Sequence, residues 1–339
     1  MHNGAIGARG GSGGGGRTGS SLWYLAALLA AVCVSIAYDN IYGLGYAAAA
    51  LGGVQQQSPL DLGVVEQPLL DRNVGIVETP DGIRANHQVL KVFDRPWKTY
   101  KLLETLPHNR SHFTQGLYFH DGQLYEGTGL HGQSVLAKVD PPSGRTLEMI
   151  HLPPKYFGEG CARTRTRIVQ LTYKHQRGFL YDASAPTGIF VRAGDFEYAT
   201  RTGQGWGIAY DAAKNELVVS DGSSYLFFWD ADTLKEKRYV QVKIVPRKSG
   251  AWQPLEYINE LEVLPDGRIL ANVWYADVIV AIEPASGEVT DIYDFQSLHT
   301  TRSRFEDCFN GIALDAEKGE LYVTGKKWPN MYKVSLVDD

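Results

Sequence analysis

The segment Phe113-Thr114-Gln115-Gly116-Leu117 decides the fold, because altered forms of it return along the chain. Each form opens a strand-like apolar run, and the openers lie about 35 to 57 residues apart, the length of one four-stranded propeller blade. The other four openers are residues 170–174, 205–211, 259–264 and 310–315. Five such units predict an all-β, five-bladed β-propeller.

Turn dipeptides after the openers support this prediction. A turn dipeptide between two apolar runs is a strong local signal for a β-hairpin. The dipeptides are Asp121-Gly122, Arg177-Gly178, Asp266-Gly267 and Lys318-Gly319. We therefore expect a second strand at 123–126, 179–182, 268–274 and 320–324.

The chain before the repeats divides by composition into three parts. Residues 1–21 are rich in Gly and Ser, 22–37 are apolar except for Ser35, and 38–95 resemble a stem that leads to a propeller domain at 96–339. The apolar run is longer than most signal-peptide cores and shorter than the roughly 20 residues that span a bilayer. We favour an uncleaved signal anchor over a cleaved signal peptide, and a core helix is the third alternative.

The basic residues before this run, Arg9 and Arg17, place the rest of the chain in the lumen in either case. We therefore expect a protein of the secretory pathway, either a lumen-facing single-pass membrane protein of the ER or Golgi or a secreted one. The sequon at Asn109 agrees with glycosylation there. Cys161 and Cys308 could form a bridge in that compartment, which the sequence leaves open.

Charge and topology limit the partners. The net charge of -5 and the absence of a long basic block argue against nucleic acid as a partner. A closed propeller leaves no long sheet edge unpaired, so we expect a monomer.

The openers also supply candidates for a binding site, because the innermost strands of a propeller converge on the central channel. The candidates within openers are Gln115, Tyr173, Trp206, Asn259 with Glu260, and Asn310. Those outside the openers are Glu159, Trp274 and Lys326. Glu159 lies between two glycines, which predicts an exposed carboxylate in a turn. Without further information these residues are equally compatible with roles in the core or on a solvated strand end.

Over residues 95–339 the chain resembles the plant and bacterial type of glutaminyl-peptide cyclotransferase. The resemblance rests on many segments in the same order. They are 113–117, 124–126, 128–130, 158–160, 171–172, 181–182, 205–207, 220–223, 258–262, 271–274, 310–313, 324–326 and 328–329. It implies a five-bladed propeller that converts the N-terminal glutamine of peptides or proteins into pyroglutamate and releases ammonia.

The resemblance also implies roles for the candidates. Glu159 corresponds to the residue that shuttles the proton, and Gln115, Asn259 and Lys326 to oxyanion donors or substrate anchors. Phe113, Phe157, Trp206 and Trp274 correspond to aromatic walls of the pocket. Tyr173 departs from the family, which commonly has tryptophan there; a tyrosine keeps a ring but has less area and offers a hydroxyl instead of an indole N–H.

No cofactor is expected for catalysis. His108 and His112 are four residues apart in a predicted loop, where we expect them to be solvated or to cap carbonyl groups rather than to bind zinc. The resemblance implies a structural calcium ion in the central channel, held mainly by backbone carbonyls, so the sequence does not name its ligands.

Two other functions remain open at this point. One is a propeller without catalytic activity that binds peptides, which would need the aromatic residues and no proton shuttle. The other is a calcium-dependent lactonase of the propeller type, whose activity would be lost with a chelator and return with calcium.

Overall fold

Five antiparallel sheets of four strands each dominate the computed structural model, which describes residues 80–182 and 190–337. A helix, α1 (Pro80–Leu90), precedes them. The strands are β1 (Thr99–Pro107), β2 (Thr114–His120), β3 (Gln123–Thr128), β4 (Val135–Asp140), β5 (Arg145–His151), β6 (Gly158–Arg163), β7 (Arg167–Thr172), β8 (Arg177–Asp182), β9 (Val191–Glu197), β10 (Ile208–Asp211), β11 (Glu216–Ser220), β12 (Tyr225–Asp230), β13 (Glu236–Gln241), β14 (Lys243–Ile244), β15 (Gln253–Pro254), β16 (Ile258–Val263), β17 (Ile269–Val273), β18 (Val278–Ile282), β19 (Val289–Asp294), β20 (Phe309–Asp315), β21 (Glu320–Gly325) and β22 (Asn330–Val337). The predicted five-bladed propeller is confirmed.

Blades 1 to 4 are continuous in sequence. They contain β2–β5, β6–β9, β10–β13 and β16–β19, and a short ribbon of β14 and β15 connects blades 3 and 4. The first strand of each blade is the innermost one: β2 packs against β6 and β20, β10 packs against β6 and β16, and β16 packs against β20. The five inner strands therefore form a closed ring around a central axis.

Blade 5 closes this ring with strands from both ends of the domain. It contains β20, β21 and β22, and its outer strand is β1. The register runs from Thr99 opposite Val337 to Pro107 opposite Asn330, with one irregularity near Leu102. The first and last strands of the domain are thus hydrogen-bonded to each other.

The core lies between neighbouring blades. Phe309 and Trp328 of blade 5, each 1% exposed, pack with Ile279 of blade 4 in one of the hydrophobic clusters. Burying an apolar side chain of this size contributes about 1.5–3 kcal/mol. The outer strand β5 alternates between exposed and half-buried positions, whereas β11 is buried throughout. Burial thus increases towards the axis, where the site lies.

Helix α1 belongs to the folded domain, although it falls in the segment that the sequence analysis interprets as a stem. Asn86 on α1 exchanges two hydrogen bonds with the backbone of Glu256, of 2.8 and 2.9 Å. Leu90 and Phe93 pack into the core cluster between blades 3 and 4. Pro80 and Asp81 suit the first turn of a helix, where proline loses no hydrogen bond and a negative charge meets the positive end of the dipole.

The second predicted opener is wrong by one strand. Residues 170–172 belong to β7, the second strand of blade 2, and the inner strand is β6, which contains Glu159. The hairpin at Arg177-Gly178 consequently joins β7 to β8. The openers at 113–117, 205–211, 259–264 and 310–315 do coincide with inner strands.

The predictions for residues 1–21 and 22–37, and for most of 38–95, fall outside the described residues. Within the described ranges no helix has the length and apolar character needed to cross a membrane.

Candidate active site

The candidate polar residues lie at irregularities of the inner strands. The register shifts between Thr114 and Gly116 in β2, where Gln115 lies, and between Gly158 and Cys161 in β6, where Glu159 lies. Equivalent register shifts occur in β16, at Asn259, and in β20, at Asn310. A bulge redirects a side chain and often occurs beside an active site. Four blades therefore each present a polar side chain from the equivalent position.

Glu159 is connected to two of these side chains. Gln115 Nε2 donates to Glu159 Oε1 over 3.0 Å. Asn310 Nδ2 donates to the carbonyl of Thr114 and, at 3.4 Å, to Gln115 Oε1. A carboxylate only accepts, so it fixes the orientation of the Gln115 amide and, through it, that of Asn310. The exposure expected for Glu159 is wrong, because the residue is 3% exposed.

The glycines around Glu159 allow blades to approach each other rather than form a turn. A Cβ on Gly160 would lie 2.6 Å from the carbonyl oxygen of Trp206, and the Gly160 N–H donates to that oxygen. A Cβ on Gly158 would lie 2.5 Å from the carbonyl oxygen of Thr128. Any larger residue at either position would push Glu159 out of place.

Phe113, Phe157 and Tyr173 form one group of aromatic rings, which is the first of the two predicted walls. Phe157 lies between the other two, with ring centroids 6.0 Å from Phe113 and 5.7 Å from Tyr173. Gly129 makes room for it, since a Cβ there would come within 2.3 Å of the Phe157 ring. Tyr173 therefore supplies a ring at the place where the family commonly has tryptophan.

A second wall consists of Trp206 and Trp274, whose ring centroids are 5.6 Å apart in an edge-to-face arrangement. Trp206 is buried, and its indole N–H donates to Gln204 Oε1 over 2.9 Å. The backbone of Asn259 lies beside this wall. Gly207, the residue after Trp206, is so close to it that a Cβ there would come within 2.2 Å of the carbonyl oxygen of Asn259. Asn259 is 2% exposed, and its Oδ1 has no hydrogen-bond partner among the described residues.

Lys326 brings a positive charge to the first wall. Its Nζ lies 5.0 Å from the centroid of the Phe113 ring, within the range of a cation–π interaction. The residue is 4% exposed, so the solvated strand end that the sequence also allowed is wrong. Its backbone is held by a hydrogen bond from its N–H to the carbonyl of Cys308.

Sequence reasoning missed Tyr198 and Gln204. The Tyr198 hydroxyl donates to the carbonyl of Thr172. Burial, and then the negative charge of Glu159, raise the pKa of Tyr198 above its usual value, so this hydroxyl stays protonated beside the carboxylate. The only signal for Gln204 in the sequence is its position two residues before Trp206.

His108, His112 and Glu126 form a buried cluster beneath Phe113, with their ligand-type atoms within 4.8 Å of one another. His112 Nδ1 lies 2.6 Å from Glu126 Oε2, His108 Nε2 lies 3.1 Å from Oε1, and the Thr114 hydroxyl donates to Oε1 over 2.6 Å. Two ligands of one tetrahedral zinc ion would be roughly 3.3 Å apart. The cluster is therefore arranged as a hydrogen-bonded network.

This network corrects the prediction of solvated histidines. Both rings are buried, and His108 Nδ1 bonds to the carbonyl of Trp328 over 2.8 Å, which confirms the alternative that it caps a loop carbonyl. Burial opposes the charge on His112, but the Glu126 carboxylate raises its pKa above the usual value. The two imidazoles in turn lower the pKa of Glu126 despite its burial.

Neither cysteine of the described residues takes part in a bridge. Cys161 and Cys308 are both buried free thiols. Burial raises the pKa of Cys161 well above its usual value and that of Cys308 to about 12, so neither is a reactive thiolate at neutral pH. Both carboxylate oxygens of Glu260, another candidate, already have partners, because they accept from the N–H groups of Leu117 and Ile312.

Fold and site together define a five-bladed propeller with a buried carboxylate near two groups of aromatic rings, an arrangement suited to proton transfer on a small polar group. A profile of the glutamine cyclotransferase family matches residues 81–336. The chain belongs to this family.

Two relatives agree with this assignment. A glutaminyl-peptide cyclotransferase of Arabidopsis thaliana is 34% identical over 241 residues, which cover 70% of this chain and 71% of the relative. The crystal structure of Myxococcus xanthus glutaminyl cyclase superposes with a TM-score of 0.62 at 32% identity, and the match covers 72% of this chain and 100% of the other.

Proposed function

We propose that the chain is a glutaminyl-peptide cyclotransferase in which Glu159 carries the proton from the substrate amine to the leaving group. The observation that carries this proposal is the position of Glu159, buried on an inner strand and hydrogen-bonded to Gln115. The substrate class is peptides or proteins with N-terminal glutamine.

The reaction joins two groups of one residue. The α-amino nitrogen attacks the γ-carboxamide carbon, a C–N bond forms, and Glu159 takes one proton from the nitrogen. The bond from the same carbon to the amide nitrogen then breaks, and Glu159 returns the proton to the departing nitrogen. The products are the pyroglutamyl peptide and ammonia, so atoms and charges balance. Since the reacting groups are already tethered, the pocket has chiefly to fold the side chain into a reactive shape.

The other side chains support this step. The Lys326 ammonium and the amides of Gln115 and Asn259 are donors of the kind that stabilise a tetrahedral oxyanion. Phe113, Phe157, Tyr173, Trp206 and Trp274 enclose the pocket and exclude water, which strengthens each polar contact inside.

Replacing Glu159 tests the proposal. We expect Glu159→Gln in the full chain to abolish ammonia release from a glutamine-initiated dipeptide while the dipeptide still binds, because only the proton acceptor is lost. Glu104→Gln, a change on the solvated strand β1, should keep wild-type activity. Wild-type activity should also survive a zinc chelator. Turnover by Glu159→Gln, or binding without turnover in the wild type, would refute the assignment, and the second result would favour the peptide-binding platform.

A structural calcium ion in the channel is a separate proposal, suggested by the family resemblance. The inner-strand carboxylates do not fit as its ligands, since Glu260 and Glu262 already accept hydrogen bonds from backbone N–H groups. Such an ion would rely on backbone carbonyls and unpartnered amide oxygens such as Asn259 Oδ1. A melting temperature that falls in EGTA and returns with calcium would support the ion, and an unchanged one would exclude it.

Localisation and assembly are also proposals. The apolar run at 22–37 and its basic flank favour a secretory protein, and Asn109 carries the sequon on a half-buried surface turn. Sensitivity of the cellular protein to an endoglycosidase, lost in Asn109→Gln, would support a lumenal domain. Light scattering at the mass of one chain would support the monomer.

A further inference from the structure

Two buried asparagines next to the site each have one polar atom without a hydrogen-bond partner among the described residues. These atoms are Asn310 Oδ1, an acceptor, and Asn272 Nδ2, a donor. Both residues are 0% exposed. A buried polar atom left without a partner costs about 1–3 kcal/mol, so each of these atoms needs a partner, either an ordered water or a bound ligand.

Neighbouring groups fix the identity of both atoms. Asn310 Nδ2 faces two acceptors, the carbonyl of Thr114 and Gln115 Oε1, so the nitrogen must lie there and the oxygen on the other side. Asn272 Oδ1 accepts from the N–H of Gly311 over 2.9 Å, so its nitrogen is the unpartnered atom. Exchanging O and N in either amide would bring like groups together.

The two amides are linked indirectly to each other, through Gly311, and to Glu159, through Gln115. Gly311 is the residue after Asn310, so Asn272 is bonded to the bulge of β20 that presents Asn310. Asn272 lies on β17 opposite the bulge of β16 that contains Asn259. Asn310 in turn reaches Glu159 through Gln115.

We propose that Asn310 and Asn272 bind the side-chain carboxamide of the substrate glutamine: Asn310 Oδ1 accepts from its NH2 group and Asn272 Nδ2 donates to its carbonyl oxygen. A primary carboxamide offers one donor group and one acceptor, which match the unpartnered acceptor of Asn310 and the unpartnered donor of Asn272; Asn259 Oδ1 is a second unpartnered acceptor in the site. This inference rests on the proposed function and assigns residues that the mechanism above does not use.

The pair explains a preference for glutamine over glutamate. A carboxylate would place a negative oxygen against Asn310 Oδ1, where an amide places N–H. A site built around a substrate hydrogen bond rejects an analogue that lacks it. Asn272 additionally meets the oxygen that becomes negative in the tetrahedral intermediate, so its contact strengthens during the reaction.

A substrate pair separates this role from general damage. We compare a glutamine-initiated dipeptide with the matching glutamate γ-methyl ester, which cyclises with loss of methanol and has no N–H on its leaving group. Uncatalysed cyclisation is subtracted. Asn310→Ala in the full chain should lower kcat/KM for the amide about 5- to 10-fold more than for the ester, which corresponds to one hydrogen bond. If Asn310→Ala acted only by loosening the position of Gln115, it would lower kcat/KM equally for the amide and for the ester.

Asn272→Asp replaces the NH2 donor by a carboxyl oxygen, while the other oxygen still accepts from the Gly311 N–H. We expect it to lower kcat about 100-fold on both substrates, the usual effect of removing one oxyanion donor. An unchanged amide-to-ester ratio in Asn310→Ala, or wild-type kcat in Asn272→Asp, would overturn the proposal.

Two further measurements guard against misfolding. Asn310→Ser changes the volume less, and its near-UV circular dichroism reports whether the fold is kept. A crystal structure of Glu159→Gln with the dipeptide should place the substrate carboxamide within 3.2 Å of both amides, as hydrogen bonds require; a carboxamide bound elsewhere would refute the inference. The proposed function is tested separately by the activity of Glu159→Gln.

Discussion

At the scale of single residues, the pocket depends on side chains that hold others in place. The hydrogen bond from the indole N–H of Trp206 to Gln204 Oε1 fixes the orientation of this buried ring in addition to its packing on Trp274. Gln204 is itself held in a tight loop, where its N–H donates to the hydroxyl of Thr202. The position of one aromatic wall thus depends on a residue that does not belong to the wall.

Replacing Gln204 should loosen this wall. We expect Gln204→Leu to raise KM about 3- to 10-fold with a smaller change in kcat, because one buried hydrogen bond of about 1 kcal/mol is lost and Trp206 becomes less ordered. Gln204→Glu keeps an acceptor for the indole N–H and should stay close to wild type. The check is steady-state kinetics on a glutamine-initiated dipeptide, and equal KM values for the two variants would contradict the role of the hydrogen bond.

At the scale of elements, strand β1 has one position that is buried and several that are exposed, and these contribute differently to stability. Leu106 is 4% exposed and packs with blades 1 and 5, whereas Leu103 on the same strand is 39% exposed. The strand is held by its hydrogen bonds to β22 and by this single buried position.

A matched pair of substitutions measures this difference. Leu106→Ala should lower the free energy of unfolding by about 2–4 kcal/mol, because it leaves a cavity at the closure of the ring. Leu103→Ala should change it by less than about 0.5 kcal/mol. Urea unfolding followed by fluorescence provides both values, and similar losses would show that β1 is held by its backbone alone.

Elements also show where sequence reasoning works and where it fails. Four openers coincide with inner strands, and in three of them, at 113–117, 259–264 and 310–315, a turn dipeptide after the apolar run also identifies the following hairpin. The opener of blade 2 was missed since Gly158-Glu159-Gly160 reads as a turn, whereas its glycines serve the close approach of Thr128 and Trp206. The sequence predicts candidate side chains on the inner strands, but the bulges at which Gln115, Glu159, Asn259 and Asn310 lie depend on contacts between blades, which no local pattern encodes.

At the scale of the whole molecule, one inner-strand carboxylate makes stability depend on pH. Glu262 is half-buried and accepts hydrogen bonds from the N–H groups of Val263 and Leu314, yet its partial loss of solvent raises its pKa from 4.5 to about 8. The folded state then binds a proton that the unfolded state has lost. The stability contributed by the neutral group is complete below pH 4.5 and disappears as the pH rises through about 8.

Glu262→Gln should remove this dependence. We expect the melting temperature of the variant, relative to that of the wild type, to rise by a few degrees between pH 5 and pH 9. A stability difference of about 1 kcal/mol produces a shift of this size. Glu317→Gln, an exposed change on a neighbouring turn, should follow the wild type at each pH. Calorimetric scans at three pH values decide, and parallel curves for Glu262→Gln and wild type would contradict the raised pKa.

The closure of blade 5 also has a consequence for biosynthesis. Strand β1 is made before every other strand of the propeller, but its partner β22 is the last to leave the ribosome. Throughout translation of the intervening blades, β1 has an unpaired edge, and the ring cannot lock until the final residues emerge. A chain cut short before Asn330 therefore loses its first strand as well as its last, so the two ends of the domain form one unit for quality control.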